Sequence, residues 1–221
     1  MIFYLIQFLL LLIFSYTYVN ESNVKYVGVR ERNGIDLCKL CSCDIAELVP
    51  DPTLLIAPDD YRKLYRVSEN RFKNQKQPFI FLYLLENQCE LDKESVFNYA
   101  KSRGLKVLYT TGNGLLDKYT KCYPTIEEWL YLIDNAELVI TNSFHCAVFS
   151  CLFNKSFGVS KLVGKFESMN SRFDTLFEQF QLEPKYIINN ELSNIEHSKN
   201  CYKLKNINIS NFVDLLKIKE Y

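Results

Sequence analysis

The chain has 221 residues, of which 48% are hydrophobic, and its 26 basic side chains balance its 26 acidic ones. A chain of this length can bury the core of one complete domain and part of another. The zero formal charge argues against a nucleic-acid groove, which normally carries an excess of lysine and arginine.

Residues 1–19 are almost entirely apolar. Their number is close to the minimum for a helix that spans a membrane. The stretch lacks the basic start and the small-residue cleavage site of a complete secretory signal peptide. Three interpretations stay open: a signal, an anchor that contacts the membrane, or a core helix that remains from an upstream domain. The predicted location is therefore either cytoplasmic or membrane-associated.

Short elements follow the apolar start. The pattern predicts a strand at 24–29 and a helix at 36–43, and the Asp51-Pro52 pair then interrupts the chain. The next stretch is polar and charged, which is typical of a connector. The predicted segments are a small unit at 20–56, the connector at 57–77 and a larger domain at 78–221.

Strands and helices alternate in the larger domain. Thr125 with Glu128 three residues later predicts a capping box at a helix start, and Gly104 suits the position just after a helix end. Strands are predicted at 79–85, 105–110, 138–141 and 157–159; helices are predicted at 94–103, 125–135, for about ten residues after Ser143, at 172–181 and at 211–218. Alternation at about thirty residues per unit predicts a Rossmann-like α/β fold, a parallel sheet with helices on both faces.

The transition from the strand at 138–141 to the next helix is the most informative part of the chain. Asn142 and Ser143 are good helix N-caps, and His145, one of only two histidines, falls in the first helical turn. Free N–H groups at a helix start attract anions. Ligands of parallel sheets bind beyond the carboxyl ends of the strands, so we expect the site here.

His145 has two interpretations. An imidazole can act as a general acid, because it titrates near neutral pH. Alternatively the ring packs in the core, because Val148, Phe149 and Leu152 share its helical face.

The eight cysteines raise the question of a metal or disulfide framework. Cys38, Cys41 and Cys43 lie close together in sequence, but no second Cys/His pair with zinc spacing follows them. Cys146 and Cys151 fall within a predicted buried helix, where cysteine acts as a small apolar residue. We predict reduced structural thiols and no metal site.

Several motifs occur in a fixed order between residues 24 and 185. They are Val29-Arg30-Glu31 with Gly34–Leu37, Asp51-Pro52-Thr53-Leu54-Leu55, Pro124-Thr125 with Glu128-Trp129-Leu130, Thr141-Asn142-Ser143-Phe144-His145 with Phe149-Ser150, and Asn170-Ser171-Arg172. Together they resemble the polysaccharide pyruvyl transferase family. The resemblance implies a GT-B-like architecture, of which the chain would hold the complete C-terminal half. It also implies either a truncated product or a partner that supplies a separate N-terminal half.

This family transfers a pyruvyl group from phosphoenolpyruvate to sugar hydroxyls, usually as a ketal, and releases phosphate. The resemblance implies phosphoenolpyruvate as donor substrate, a glycan as acceptor, no cofactor, and His145 as the general acid. The residues that it suggests for donor binding are Asn142, Ser143, Lys165, Asn170, Arg172 and Arg30. Each has a structural alternative: a helix cap for Asn142 and Ser143, a turn for Asn170, an ion pair with Glu31 for Arg30, and a solvated charge for Lys165 and Arg172.

One departure from the family pattern concerns the residue after the histidine. It is usually glycine, whereas this chain has Cys146, whose side chain would crowd a ligand that approaches the backbone. Two other functions therefore stay open. One is a noncatalytic sugar-binding member of the family, and the other is a GT-B glycosyltransferase that uses a nucleotide-sugar.

Overall fold

A computed structural model describes residues 27–85, 89–112, 117–193 and 195. The chain divides after Pro50 into two units. In the smaller unit, β1 (Val27–Val29) pairs in parallel with β2 (Ala46–Leu48), and α1 (Arg32–Leu40) connects them. The predicted strand is confirmed over 27–29. The apolar segment at 1–19 and the helix predicted at 211–218 lie outside the described residues.

The first helix begins earlier than predicted, at Arg32 instead of residue 36. Gly34 in its first turn weakens the helical pattern in the sequence, because glycine disfavours helices. The packing explains this glycine. A Cβ atom at residue 34 would lie 3.0 Å from the Cβ of Val29, so glycine allows α1 to approach β1 closely.

The larger unit contains a four-stranded sheet in which all strands are parallel, in the order β4-β3-β5-β6. Its strands are β3 (Phe79–Leu84), β4 (Lys106–Thr111), β5 (Leu138–Thr141) and β6 (Phe157–Val159). The four predicted strands are confirmed to within about one residue at each end.

The helices of the larger unit are α2 (Pro58–Val67), α3 (Lys93–Ser102), α4 (Ile126–Asn135), α5 (Phe144–Leu152) and α6 (Ser171–Gln179). Short 3₁₀ segments occupy Pro52–Leu55 and Gly164–Asn170. The capping box of Thr125 and Glu128 is confirmed at the start of α4. Gly104 follows α3 with a φ of 66°, as its predicted role after a helix end requires.

Both faces of the sheet are covered. Alternate residues of β3 point in opposite directions, as in any strand. Ile80 and Leu82 pack with Val96 and Ala100 of α3 on one face. Phe81, on the other face, packs in a cluster formed by α4, α5 and α6. The predicted α/β fold with a parallel sheet between helical layers is therefore confirmed.

The segment predicted as a connector contains α2, a helix that packs against α4. Tyr61 and Tyr65 of α2 are buried one helical turn apart. Arg62 binds the carboxylate of Asp134 in α4 through two hydrogen bonds of 2.7 and 3.0 Å, and the Tyr65 hydroxyl donates a third of 2.6 Å. The helix was missed because its other residues are mostly charged, which masks the narrow buried stripe.

The strand order creates a crevice between β3 and β5. The chain leaves β3 through α3 to reach β4 on one side, and it leaves β5 through α5 to reach β6 on the other. Because α3 and α5 lie on opposite faces, the carboxyl ends of β3 and β5 border an open space where ligands of such sheets bind. Among the described residues, no helix has the length and apolarity needed to cross a bilayer.

Candidate active site

A cavity of about 420 Å³ lies at this crevice. Strand β3 and the residue that follows it contribute Tyr83 and Leu85, and β4 contributes Thr110. The turn into α5 contributes Ser143 and His145. The segment that leads into α4, and α4 itself, contribute the remaining lining residues: Tyr123, Pro124, Thr125, Ile126 and Trp129.

The turn between β5 and α5 is held in place by hydrogen bonds. The Thr141 hydroxyl donates to the carbonyl of Tyr83 (2.7 Å) and accepts from the N–H of Ser143 (2.9 Å). The Ser143 hydroxyl accepts from the N–H of Cys146 (3.4 Å), so Ser143 is the N-cap of α5, as predicted. These contacts place His145 in the first helical turn, beside the ends of two strands.

The imidazole of His145 is open to solvent, with 51% of its side chain exposed. Its neighbours Phe144 and Cys146 are buried, as are Val148 and Phe149 below it. The alternative in which the ring packs in the core is therefore wrong. The ring lines the cavity and makes an edge contact with the Phe144 ring, at 5.6 Å between centroids.

A buried carboxylate lies beside His145. Nε2 of the imidazole is 3.6 Å from Oδ2 of Asp51, whose side chain is only 2% exposed. The other carboxylate oxygen of Asp51 accepts from the N–H (3.1 Å) and the hydroxyl (2.8 Å) of Thr53. These bonds fix the carboxylate, and the distance to Nε2 suits an ion pair with a protonated ring. Sequence reasoning missed this partner, although the Asp51–Leu55 motif gave a signal.

Asn142 has a different role from the predicted helix cap. Its side chain is buried, and its Oδ1 accepts a hydrogen bond from the N–H of Leu85 (2.8 Å). The amide thus ties the end of β3 to the end of β5. Asn142 shapes the crevice, but it is not among the residues that line the cavity.

The three predicted donor-binding residues after α5 do not line the cavity. The Asn170 amide accepts from the N–H of Leu162 (3.0 Å) and donates to its carbonyl (2.8 Å), which is a structural role. Lys165 is exposed and lies over the Phe166 ring. The Cζ of Arg172 lies 5.7 Å from the centroid of the Phe144 ring, and its Nε donates to the carbonyl of Met169 (3.2 Å).

Arg30 belongs to the smaller unit, where its Nε lies 3.8 Å from a carboxylate oxygen of Glu31. The ion pair that served as its structural alternative is present. The described lining of the cavity contains neither lysine nor arginine. The positive charge expected beside an anionic donor is thus limited, within this lining, to a protonated His145 and the start of α5.

An ion pair supports the segment that leads into α4. The buried carboxylate of Glu128 accepts from the backbone N–H, Nε and Nη2 of Arg71 (3.0, 2.9 and 2.8 Å) and from the N–H of Thr125 (3.0 Å). The hydrogen bonds from Arg71 hold the pKa of Glu128 at about 2. Arg71 also donates to the carbonyl of Tyr123 (2.8 Å), so this ion pair fixes the edge of the cavity. The sequence showed only the capping box.

The Cys146 side chain does not crowd the cavity. It is fully buried in the core cluster and is absent from the cavity lining. Burial raises the pKa of its thiol to about 12, so the group stays protonated. The described cysteines are all free thiols, and no cluster of three potential metal ligands occurs among the described residues.

Among solved structures, the chain is similar to the UDP-GlcNAc 2-epimerase of Methanocaldococcus jannaschii, which was solved in complex with UDP-GlcNAc and UDP. The TM-score is 0.58 with 14% sequence identity, and the match covers 88% of this chain and 61% of the epimerase chain. The chain thus spans less than two thirds of that enzyme. At this identity the likeness shows a shared GT-B-like fold and carries no information about activity.

No curated protein sequence matches the chain significantly. The family model for polysaccharide pyruvyl transferases matches residues 14–159. This range includes Asp51, Glu128 and the turn that carries His145, and it ends before Lys165, Asn170 and Arg172. Because the match covers more than half of the 221 residues, the chain belongs to the polysaccharide pyruvyl transferase family.

Proposed function

We propose that the chain transfers a pyruvyl group from phosphoenolpyruvate to a sugar of a polysaccharide or glycan. Family membership supports this proposal. The observation that carries it is the pairing of His145 with Asp51, an exposed imidazole beside a buried carboxylate, at the cavity between β3 and β5. An ionisable ring in such a position is suited to proton transfer.

The reaction requires proton transfers in both directions. The imidazolium of His145 gives its proton to the methylene carbon of phosphoenolpyruvate, and the adjacent carbon becomes electron-poor. A sugar hydroxyl oxygen bonds to that carbon and loses its proton to the imidazole, which regains its charge. The carbon–oxygen bond to phosphate then breaks with its electron pair, the second hydroxyl of the same sugar bonds to the carbon to close the cyclic ketal, and its proton passes to the departing phosphate. None of these steps is an oxidation or a reduction. We therefore propose phosphoenolpyruvate as the donor substrate and no cofactor.

Asp51 acts in this scheme as a positioning residue. A carboxylate beside an imidazole fixes the orientation of the ring and stabilises its charged form. The two hydrogen bonds from Thr53 hold the carboxylate in place before substrate binds. Such preorganisation lowers the barrier, because no group has to reorient during the reaction.

For the anionic groups of the donor we propose the start of α5, with the Ser143 hydroxyl at its cap. Arg172 is the best supported cationic partner, because its guanidinium lies against Phe144, the residue before His145. Lys165 and Arg30 are weaker proposals, and Asn142 and Asn170 contribute through the backbone that they hold. The rise in KM for phosphoenolpyruvate in the alanine variant of each residue measures the contribution of that residue to donor binding.

The experiment is a phosphate-release assay on the full chain with phosphoenolpyruvate and a set of glycosides, run beside nucleotide-sugar hydrolysis. We expect sugar-dependent phosphate release and no hydrolysis of the nucleotide-sugar. His145→Ala should abolish turnover and leave Tm nearly unchanged, since the ring is half exposed. His197→Ala serves as the matched control for loss of an imidazole. Hydrolysis of the nucleotide-sugar without release from phosphoenolpyruvate would contradict the proposal.

One observation favours a second candidate, sugar binding without turnover. The described cavity lining has no lysine or arginine to neutralise a donor that carries both a phosphate and a carboxylate. This candidate predicts saturable binding of a glycoside and no phosphate release at any donor concentration.

A further inference from the structure

Four large side chains, three aromatic and one aliphatic, are among those that line the cavity, and we call them the aromatic wall: Tyr83, Tyr123, Ile126 and Trp129. Tyr123 is 61% exposed and Ile126 is 76% exposed. Ile126 is at helical spacing with Leu130 and Ile133 of α4, but those two side chains are buried in the core whereas Ile126 is exposed at the cavity. Apolar area left in water at the mouth of a cavity gains free energy when a ligand covers it.

The ring geometry of the wall distinguishes between ligands. The rings of Tyr83 and Trp129 meet at 68°, with 5.7 Å between centroids, and so form a corner. A flat nucleobase stacks on a ring face and gains most between parallel faces. A pyranose chair presents C–H groups on its face and along its edge, and it can contact both rings of a corner.

Hydrogen bonds hold the backbone of the wall, and ring packing holds Trp129, before any ligand binds. Arg71 holds the carbonyl of Tyr123, and Glu128 holds the N–H of Thr125. Behind the wall, the Trp129 ring packs edge-on against Phe149 at 5.3 Å. A wall fixed in this way loses little conformational entropy when it captures a ring.

The cavity has space for more than the donor. Its volume of about 420 Å³ lies within the range of small-molecule sites and exceeds the need of a three-carbon phosphate ester. The aromatic wall and His145 line the same cavity. Because the described lining holds no side-chain charge other than that of a protonated His145, a neutral sugar fits it better than a uronic acid.

We propose that the aromatic wall is the acceptor subsite and that it binds a neutral hexopyranose, with Tyr83 and Trp129 against the ring and Tyr123 and Ile126 covering its edge. This inference rests on the proposed function for the role of the sugar as acceptor.

The test uses the fluorescence of Trp129, which is the only tryptophan of the chain. The full chain is titrated, without phosphoenolpyruvate, with the methyl glycosides of glucose, galactose and mannose. We expect a saturable change in emission with at least one of them at millimolar concentration. Tyr123→Ser and Ile126→Ala should each weaken binding by roughly fivefold, because each removes part of the apolar surface that the sugar covers. Val67→Ala, which shortens an 87% exposed side chain on α2, is the matched control and should change nothing.

Two results would overturn the inference: no saturable response to any of the glycosides, or a response that Tyr123→Ser and Ile126→Ala leave unaltered. Saturation by uridine monophosphate in place of the glycosides would instead indicate a nucleotide site. Failure of the proposed function has a separate signature. Glycoside binding that depends on the wall, without phosphate release from phosphoenolpyruvate, supports the subsite and contradicts the transferase.

Discussion

The turn that carries His145 and the aromatic wall face the same cavity, but they are supported in different ways. The turn is anchored to the sheet, because Thr141 binds the carbonyl of Tyr83 and the residues on both sides of His145 are buried. Of the wall residues only Tyr83 belongs to the sheet; the segment before α4 lies outside it and depends on Arg71 and Glu128. The turn presents an ionisable ring, whereas the wall presents mainly apolar surface.

Under the proposed function, the turn serves the chemical step and the wall serves the binding of the acceptor. Side chains that act on reacting atoms need a fixed position, which the sheet gives to His145. Side chains that cover a sugar ring need exposed apolar surface, which a segment outside the sheet can offer. We therefore expect substitutions at the turn to alter turnover and substitutions that affect the wall to alter acceptor binding.

Apart from the loss of turnover expected for His145→Ala, the largest effect follows from removal of the support behind the wall. Arg71→Ala leaves Glu128 buried without its cation and releases the carbonyl of Tyr123. We expect kcat/KM for the acceptor to fall by roughly 10²-fold, because a displaced wall misaligns the sugar. Steady-state assays measure the loss, and urea unfolding should show a lower midpoint.

Arg66→Ala is the matched control for Arg71→Ala, because Arg66 is also an exposed arginine and lies on α2. It should leave both the activity and the midpoint unchanged. Equal behaviour of the two variants would show that the ion pair does not support the wall.

The next effect concerns the partner of the imidazole. Asp51→Asn keeps an oxygen that can accept from Thr53 but removes the negative charge beside Nε2. We expect kcat to fall by roughly 10- to 100-fold with little change in acceptor KM. A lower urea midpoint without a fall in kcat would assign Asp51 a purely structural role.

A smaller effect is the pH dependence of stability that Glu128 contributes. Its pKa of about 2 in the folded chain lies below the ordinary value of 4.5. The stabilisation is therefore fully present above about pH 4.5 and is lost as the pH falls towards 2. Urea midpoints measured across this window should fall less steeply for Glu128→Gln than for the unaltered chain. Midpoints that fall equally with pH in the two proteins would show that Glu128 does not contribute this pH dependence.

The smallest effect is expected at Cys146. Cys146→Gly removes a fully buried thiol and adds backbone freedom within α5, which we expect to cost about 2 kcal/mol of unfolding free energy. Turnover should not rise, because the thiol does not face the cavity. Cys146→Ala should cost less, since alanine favours helices. Faster turnover in the glycine variant would show that the thiol obstructs the ligand after all.

The sequence predicts the elements of the sheet well because their signals are local. Apolar runs mark β3 and β5, and Thr125 with Glu128 marks the start of α4. The prediction fails for α2, where the two tyrosines that reach the core stand among charged residues. It also fails at the start of α1, where Gly34 is explained by its packing on Val29.

The candidate site was predicted only in part. The position of His145 follows from local pattern, since a strand, a cap and a helix occur in succession. Its pairing with Asp51 joins distant parts of the chain, and no local pattern can show it. The same holds for Arg71 with Glu128, where the capping box accounts for only one of the bonds that Glu128 accepts. The family resemblance suggests Asn170 for donor binding, whereas its side chain binds the backbone of Leu162, a role that cannot be recognised before the fold is known.

The central claim, that His145 faces the donor, can be tested directly by proton NMR. The chain has two histidines, so a His197→Gln variant leaves His145 as the only imidazole signal. We predict that its Cε1–H resonance shifts in a saturable manner when phosphoenolpyruvate is added, whether or not an acceptor is present. A resonance that does not move at saturating phosphoenolpyruvate would contradict the placement of the donor at this ring.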